Sequence, residues 1–337
     1  MPTPSPEAAE LDVIGLGNAI VDVLCEADDR SLDRLDLAKG TMTLVDQARM
    51  TALYGGIGPA VEMSGGSCAN TMAALASLGA KVAYVGKVQR DQLGEVFAHD
   101  IRAVGVEFRT PPLDDGPPTA RCLVLVTPDA QRTMATYLGA CVELGPDDVD
   151  EARIAAAKVV YLEGYLWDRP EAKAACLKSA ELAHRHGRKV ALTLSDPFCV
   201  ARWREEFADL IAHHVDVVIA NEVEICSLYG ANAFDDVLDV VRGQVGLAAL
   251  TRGADGSVIV SGGQTHMLPA APIARLVDTT GAGDLYAAGL LYGLTHDLPL
   301  AACGRLASLS AGHILGHYGA RADGSLKRLV EVARRAS

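Results

Sequence analysis

Residues 278–284 read DTTGAGD and stand directly before the apolar stretch LYAAGLLYGL. A Gly-Ala-Gly turn that opens a helix leaves N–H groups without intrahelical acceptors at the positive end of the helix dipole, so an anion such as phosphate is its natural guest. Gly281, Ala282 and Gly283 therefore form a candidate anion-binding turn. Asp284, in the first helical turn, is placed to accept a proton from a hydroxyl that attacks the phosphate. Taken alone, Asp284 is as readily an ordinary acid at a helix N-terminus.

A second glycine cluster, MSGGSCAN at 63–70, also precedes a helical stretch. Gly65 and Gly66 allow a ligand to approach the backbone closely, and the Asn70 amide can both donate to and accept from a hydroxyl. These features indicate a site for a hydroxylated acceptor. The same residues also fit a simple glycine-rich turn in which Ser67 caps the following helix.

A third motif, Asn221-Glu222-Val223-Glu224, follows an apolar strand candidate. Asn221 and Glu224 have the spacing of a capping box, in which each side chain binds the backbone N–H of the other residue. This structural interpretation is favoured by the residues alone. The functional alternative is that the two side chains orient water around Mg²⁺ near nucleotide phosphates.

Short β-branched strand candidates alternate with Ala- and Leu-rich helical stretches along most of the chain, which predicts parallel βαβ units covered on both faces. The strand candidates are 12–17, 81–86, 158–164, 189–195, 215–221, 248–253 and 256–262. Two segments, 18–50 and 106–138, break this alternation. Segment 18–50 contains strand-like runs and no convincing helix. Segment 106–138 also contains strand-like runs, two of which are joined by the turn TPDAQ. We therefore expect one α/β domain over 1–337, with a central mostly parallel sheet and a small β-sheet lid formed by about 18–50 and 106–138.

The composition excludes several classes of protein. Half of the 337 residues are hydrophobic, and 30 Lys and Arg stand against 43 Asp and Glu, for a net charge of −13. This acidity argues against nucleic-acid binding, which needs clustered basic residues. The eight cysteines have no CxxC spacing, and the polar N-terminus and the lack of a long apolar run predict a cytoplasmic protein away from membranes. Neither a Walker sequence nor a complete dinucleotide fingerprint is present, since GLGNAI at 15–20 lacks the third glycine and the helix.

Taken in order, GGSCAN, NEVE, TRGADG at 251–256 and DTTGAGD resemble the ribokinase-like (PfkB) family of carbohydrate and nucleoside kinases. The resemblance spans nearly the whole chain and implies a three-layer fold with a β lid that closes on the acceptor. It implies that Asp284 is the catalytic base and that residues 281–283 form the anion hole. It further implies that Thr251 and Gly253 line the ATP site and that Asn221 and Glu224 support Mg²⁺ through water.

Within the family, three segments resemble members that phosphorylate adenosine. GLGNAIVDVL places Asp22 to bind ribose hydroxyls together with Gly65, Gly66 and Asn70, and LSDPF at 194–198 resembles a segment of those members. GYLW at 164–167 makes Tyr165 a candidate contact with the base. Arg132 aligns with the arginine that approaches the transferring phosphate from the lid.

The resemblance thus implies an ATP- and Mg²⁺-dependent kinase that phosphorylates the 5′-hydroxyl of adenosine to give AMP and ADP, as in purine salvage. A sugar kinase of the ribokinase or fructokinase kind, or a nucleoside kinase of broader base specificity, is the alternative. The expected partners are the nucleoside and ATP. A large lid within one chain favours a monomer, and dependence on a monovalent cation is left open.

Overall fold

The computed structural model describes residues 9–129 and 131–335, and strands supply its two sheets. The strands are β1 (Leu11–Leu16), β2 (Ile20–Glu26), β3 (Met42–Leu44), β4 (Val61–Gly65), β5 (Val82–Val85), β6 (Val106–Phe108), β7 (Ala120–Val126), β8 (Arg132–Tyr137), β9 (Ala157–Glu163), β10 (Lys189–Thr193), β11 (Val217–Asn221), β12 (Leu247–Thr251), β13 (Ser257–Ser261) and β14 (Gln264–Leu268). The large sheet has the order β14-β13-β12-β11-β10-β9-β1-β5-β6. The strands from β12 to β6 in that order run parallel, and β13 and β14 extend the sheet antiparallel.

Helices cover both faces of this sheet and one face of the smaller sheet. They are α1 (Asp29–Arg34), α2 (Gln47–Gly56), α3 (Ser67–Leu78), α4 (Gln92–Ala103), α5 (Glu151–Ala155), α6 (Pro170–Arg185), α7 (Pro197–Arg202), α8 (Arg204–His214), α9 (Glu222–Tyr229), α10 (Phe234–Gln244), α11 (Ala282–Thr295), α12 (Leu300–Ile314) and α13 (Lys327–Arg335). None of the helices in the described ranges is long and apolar enough to cross a membrane.

The large sheet is buried on both faces because its strands are apolar at successive positions. Val13 and Ile14 are neighbours on β1, yet they belong to two separate hydrophobic cores. The first core contains residues of α3, α4, α11, α12 and α13, and the second contains residues of α5 to α10. Helix, sheet and helix thus form three layers, which confirms the predicted fold class.

A second sheet of five strands, called the small sheet below, has the order β3-β8-β7-β2-β4. One face packs on α1 and α2 and is buried at Val21, Val23 and Leu123. The opposite face carries alternate residues of the same strands, among them Ile20 and Asp22. The apolar face of the small sheet therefore belongs to the first hydrophobic core, and its second face borders cavities.

The small sheet differs in detail from the two segments that the sequence singles out. The expectation of no helix within 18–50 is wrong, because α1 and the start of α2 lie there. The Asp28 carboxylate caps α1 by accepting from Ser31 N–H, and the Asp46 carboxylate caps α2 by accepting from Arg49 N–H. β6 pairs with β5 at the edge of the large sheet, and β4 joins the small sheet from outside both segments. The strands that the small sheet takes from 106–138 begin at Ala120.

Candidate active site

Polar residues gather where the parallel strands of the large sheet end. Glu163 ends β9, Asn221 ends β11 and Thr251 ends β12, while α3 and α11 begin nearby. Asn221 and Thr251 are direct neighbours in the sheet register. Ligands of open α/β sheets bind at this carboxyl edge, so the topology brings the sequence motifs to one place.

Asp284 binds side chains of α3 and does not cap its own helix. Its Oδ1 accepts a hydrogen bond from the Ser67 hydroxyl at 2.7 Å, and its Oδ2 accepts one from Asn70 Nδ2 at 3.1 Å. Burial raises the pKa of Asp284 to about 6, while these two hydrogen bonds and the charge of Arg321 act in the opposite direction. The carboxylate is therefore partly buried, oriented by two donors and ionised above about pH 6, as a general base requires.

The turn before Asp284 has the geometry of an open helix start. Gly281 is the N-cap of α11 and has φ +75°, a left-handed conformation that favours glycine. A Cβ on Gly281 would also lie 2.8 Å from Ala320 Cα, whereas one on Gly283 would meet nothing within 4 Å. The N–H groups of the first turn lack intrahelical acceptors, so this turn is open to an anion.

The turn at Gly65 and Gly66 joins the small sheet to α3. Gly66 has φ +91°, and a Cβ there would collide with the carbonyl of Asn18. A Cβ on Gly65 would collide with the Asp22 carboxylate, so a larger residue at position 65 would displace that side chain. Ser67 is the first residue of α3 rather than its cap, and its hydroxyl serves Asp284 instead.

Asp22 and Asn70 lie together in a narrow cavity of about 20 Å³ with Thr280 and Arg321. Burial raises the pKa of Asp22 to about 7, and the nearby charge of Arg321 lowers it. Asn70 Oδ1 is buried and has no hydrogen-bond partner among the described residues. The two side chains thus offer unused acceptors within reach of the turn at Gly65.

Glu163 is a site residue that the motifs did not reveal. Its Oε1 accepts hydrogen bonds from Asn18 Nδ2 at 2.8 Å and from Asn18 N at 3.3 Å, and its Oε2 accepts one from Cys68 N at 2.9 Å. Burial raises the pKa of Glu163 to about 7. The carboxylate ties the start of the small sheet to the start of α3. In the sequence, the one indication of this role was that Glu163 is an acidic residue at the end of an apolar strand candidate.

A cavity of about 420 Å³ lies between the small sheet and the body, which is the large sheet with its helices. Phe198 is 75% exposed and Tyr165 is 37% exposed on the body side, although both have large apolar rings. Opposite them stand apolar side chains of the small sheet. The cavity lining includes Asn18, Ser67 and Glu163 as polar groups and Met42, Leu44 and Met134 as apolar ones.

A second cavity, of about 600 Å³, lies beyond the Gly281 turn. Thr251 and Gly253 line it together with Ala282 and Gly283. Its remaining walls are largely apolar and include Ile273, Leu276, Tyr286 and Leu315. The Gly281 turn therefore lines this second cavity, and the first cavity reaches Ser67, whose hydroxyl binds Asp284.

Arg132 reaches the Gly281 turn from the small sheet. Its Nε lies 2.7 Å from Asp278 Oδ1, and its Nη2 donates to Thr279 Oγ1 at 3.2 Å. Asp278 is 5% exposed and also accepts from the backbone N–H of Thr280 and of Gly319. The motif's first aspartate thus holds the guanidinium beside the turn.

Asn221 and Glu224 form the capping box that their spacing predicts. Glu224 Oε2 accepts from Asn221 N at 2.9 Å, and Asn221 Oδ1 accepts from Glu224 N at 2.8 Å. Within 9–129 and 131–335 no cluster of three acids, histidines or cysteines could hold a metal. Each Glu224 oxygen accepts one hydrogen bond from Asn221, through the backbone N–H and the side-chain Nδ2, and so keeps a lone pair for a further partner.

Comparisons with known proteins identify the family and the fold of the chain. A sequence model of the pfkB family of carbohydrate kinases matches residues 59–327. The crystal structure of adenosine kinase from Sinorhizobium meliloti is similar, with TM-score 0.88 and 50% identity over 98% of this chain and 100% of that one. A probable sugar kinase from Rhizobium etli gives TM-score 0.89 and 48% identity over 97% and 99%. The 5-dehydro-2-deoxygluconokinase of Geobacillus kaustophilus is 28% identical over 70% of this chain and 74% of its own length.

Proposed function

The chain belongs to the pfkB family of carbohydrate kinases, phosphotransferases that act on hydroxyl groups, and we propose that its acceptor is a nucleoside, adenosine first. The reaction would transfer the γ-phosphoryl group of ATP to the 5′-hydroxyl and release AMP and ADP. The similarity to an adenosine kinase along nearly the whole chain supports this proposal. Purine salvage would be the metabolic role.

The observation that carries the proposal is the apolar lining of the 420 Å³ cavity. Phe198, Tyr165, Met42 and Leu44 are exposed large hydrophobic side chains, and all four line this cavity. Exposed apolar rings grouped in a cleft indicate a ligand surface, because a flat aromatic base would cover them. A small sugar presents hydroxyl groups and would leave these side chains in water. The volume lies within the usual range of roughly 300–1,000 Å³ for ligand sites.

In this proposal the ribose lies across the turn at Gly65 and Gly66. Asp22 and Asn70 would accept from or donate to its 2′- and 3′-hydroxyls, which holds the 5′-hydroxyl against Asp284. Asp284 would take the hydroxyl proton as the oxygen attacks the γ-phosphorus and the bond to the ADP oxygen breaks. When the 2′- and 3′-hydroxyls are both bound, the orientation of the attacking 5′-hydroxyl is fixed, which lowers the entropic part of the activation barrier.

The phosphate side of the site would use residues 281–283, Thr251, Gly253 and Arg132. The open N–H groups of the turn and the guanidinium would meet the charge of the transferred phosphoryl group. Mg²⁺ bound with ATP would neutralise phosphate charge, and Asn221 and Glu224 would contact it through water. We propose that the small sheet is a lid over the acceptor, so that closure excludes water as a competing acceptor.

A second candidate, a sugar-acid kinase, is favoured by one specific observation. Arg169 lines the acceptor cavity, and its guanidinium has no hydrogen bond or ion pair with any described residue. An acceptor named as a gluconate derivative carries a carboxylate, which an unpaired guanidinium would bind. For a nucleoside, the same group would contact the base from the cavity mouth.

An acceptor panel tests the proposal. The enzyme would be incubated with ATP, Mg²⁺ and, in turn, adenosine, inosine, guanosine, ribose, fructose and a sugar acid, with ADP release and product mass as readouts. We expect the highest kcat/KM with adenosine and an AMP product. Turnover of ribose or of the sugar acid without turnover of adenosine would refute the proposal.

Two substitutions separate the candidates within the same panel. Phe198→Ala should raise the KM for adenosine by about tenfold, since it removes an apolar contact worth roughly 1–2 kcal/mol. The ring is 75% exposed, so the melting temperature should hardly change. Met267→Ala, an exposed apolar side chain on β14 at 77%, is the matched control. Loss of sugar-acid turnover in Arg169→Ala with adenosine unaffected would favour the second candidate.

A further inference from the structure

Arg321 lies between α12 and α13, far in sequence from the turn that it contacts. Its Nε and Nη2 donate to the carbonyl oxygen of Ser64 at 3.1 and 2.7 Å, and Nη2 also donates to Ser64 Oγ at 2.8 Å. Its Nη1 donates to the carbonyl oxygen of Ala69 at 3.1 Å. Ser64 belongs to β4 of the small sheet and Ala69 to the first turn of α3, so one guanidinium holds both sides of the Gly65–Gly66 turn.

We propose that Arg321 is a positioning residue of the phosphoryl-transfer site. By clamping Ser64 and Ala69, it fixes the turn that presents the Ser67 hydroxyl and the Asn70 amide to Asp284. The inference rests on the proposed role of Asp284 as the proton acceptor. Arg321 itself makes no hydrogen bond to Asp284 in the structure, so its effect passes through the turn and through its charge.

The turn needs this support because its own residues supply little. Gly66 has no side chain to cap α3, and two adjacent glycines leave the backbone unusually free. Asp100 on α4 completes the clamp, since its Oδ2 accepts from both the N–H and the hydroxyl of Ser64. The Ser64 hydroxyl proton is thereby directed to Asp100, which leaves its oxygen to accept from Arg321.

The charge of Arg321 has a second effect on the site. It lowers the pKa of Asp22 and of Asp284, which burial raises to about 7 and about 6. Other titratable groups that interact with Asp284 are Asp22 on β2, Glu163 and Tyr161 on β9, Cys68 on α3, and Tyr165. Those groups are acidic or neutral, so Arg321 is the cation that favours the ionised base.

Substitution of Arg321 by lysine and by glutamine separates the clamp from the charge. Both variants would be measured for kcat/KM as a function of pH and for deuterium uptake of the peptide covering 64–70. Arg321→Gln should lower kcat/KM by about tenfold to a hundredfold, as a lost set of charged hydrogen bonds does. It should also move the acid limb of the profile up by roughly one pH unit and speed up exchange in 64–70.

Arg321→Lys keeps the charge and loses the planar fork. The acid limb of its pH profile of kcat/KM should stay near that of the wild type, while deuterium exchange in 64–70 should still increase. Arg153→Gln is the matched control, because Arg153 is also largely buried and joins α5 to β6 through Glu107 at 2.8 Å, away from the site. Arg153→Gln should leave both the pH profile of kcat/KM and the deuterium uptake of 64–70 unchanged.

Unchanged deuterium uptake over 64–70 in both Arg321 variants would overturn the clamp. An acid limb in Arg321→Gln that matches the wild type would overturn the role of the charge. If the wild type phosphorylates a hydroxyl acceptor other than adenosine, the pH profile of kcat/KM is measured with that acceptor instead. If it phosphorylates none, the proposed function fails while the uptake measurement still decides the clamp.

Discussion

Replacing Asp284 with asparagine would remove the proposed proton acceptor and keep the contacts around it. The new amide oxygen can accept from the Ser67 hydroxyl as Oδ1 does now at 2.7 Å. The new amide NH₂ would face Asn70 Nδ2, which would place two donors opposite each other. Asn70 Oδ1 is unpartnered among the described residues, so rotation of the Asn70 amide restores a hydrogen bond. The variant should therefore fold and keep the geometry of the site.

The expected loss follows from the role of the carboxylate. A general base contributes about 10²- to 10⁴-fold to turnover, so kcat of Asp284→Asn should fall by at least about a hundredfold, or roughly 2.7 kcal/mol of barrier. The pKa of Asp284 is about 6, so wild-type kcat/KM should fall about tenfold per pH unit below that value. The residual activity of the variant should lack this limb. ATP affinity should be kept or slightly increased, since a negative charge beside the phosphates is removed.

The assay measures ADP release with adenosine from pH 5 to 8.5 and ATP affinity by calorimetry. Asp284→Glu serves as the companion variant, because it keeps the charge and displaces the oxygens. Near-normal turnover of Asp284→Asn at pH 7.5 would refute the assigned role. A loss of ATP affinity that accounts for the whole effect would refute it as well, because the residue would then act in nucleotide binding.

Two further predictions concern Arg132 and Glu163. Arg132→Ala, which breaks the 2.7 Å ion pair with Asp278, should lower kcat by about tenfold or more and change KM for the nucleoside less; a larger effect on KM would place Arg132 outside the transition-state site. Glu163 has a pKa of about 7 in the folded chain against an ordinary 4.5, so the folded state binds its proton more tightly, and stability should fall as pH rises from about 4.5 to 7. Glu163→Gln should make this decline shallower in urea unfolding at pH 5, 6, 7 and 8, and an unchanged slope would contradict the raised pKa.

Most of the large sheet could be predicted because its signals are local. Each parallel strand is a short apolar run, and longer Ala- and Leu-rich stretches of helical length stand between the strands. The helices α1 and α2 were missed because they are short and have few apolar residues. Their local signals were the acids Asp28 and Asp46 at the capping positions. The place of β4 in the small sheet depends on pairing with β2, which no local pattern encodes.

The candidate site divides in the same way. The turn at Gly281 and the turn at Gly65 were found because glycine and small residues before a helix carry a local meaning. That Ser67 and Asn70 would bind Asp284 is a contact across more than 200 residues, and it follows only from the packing of α3 on α11. No sequence motif indicated Arg321, since three of its four hydrogen bonds go to backbone carbonyl groups, which every residue type has.

The net charge of −13 makes the electrostatics of the site a question of where the few cations stand. Burial raises the pKa values of the Asp22, Glu163 and Asp284 carboxylates to between about 6 and 7, and the charge of Asp284 adds to this rise at Asp22 and Glu163. Arg321 directs four of its five N–H donors at Ser64 and Ala69, on the two sides of the Gly65–Gly66 turn. Arg132 has five N–H donors, and its contacts with Asp278 and Thr279 engage the Nε group and one Nη group. In the proposed reaction it can therefore keep its ion pair, which fixes its position, and direct the remaining donors at a phosphate. Because Asp278 offsets its charge, most of the phosphate charge must then be met by the helix N–H groups and by the Mg²⁺ that accompanies ATP.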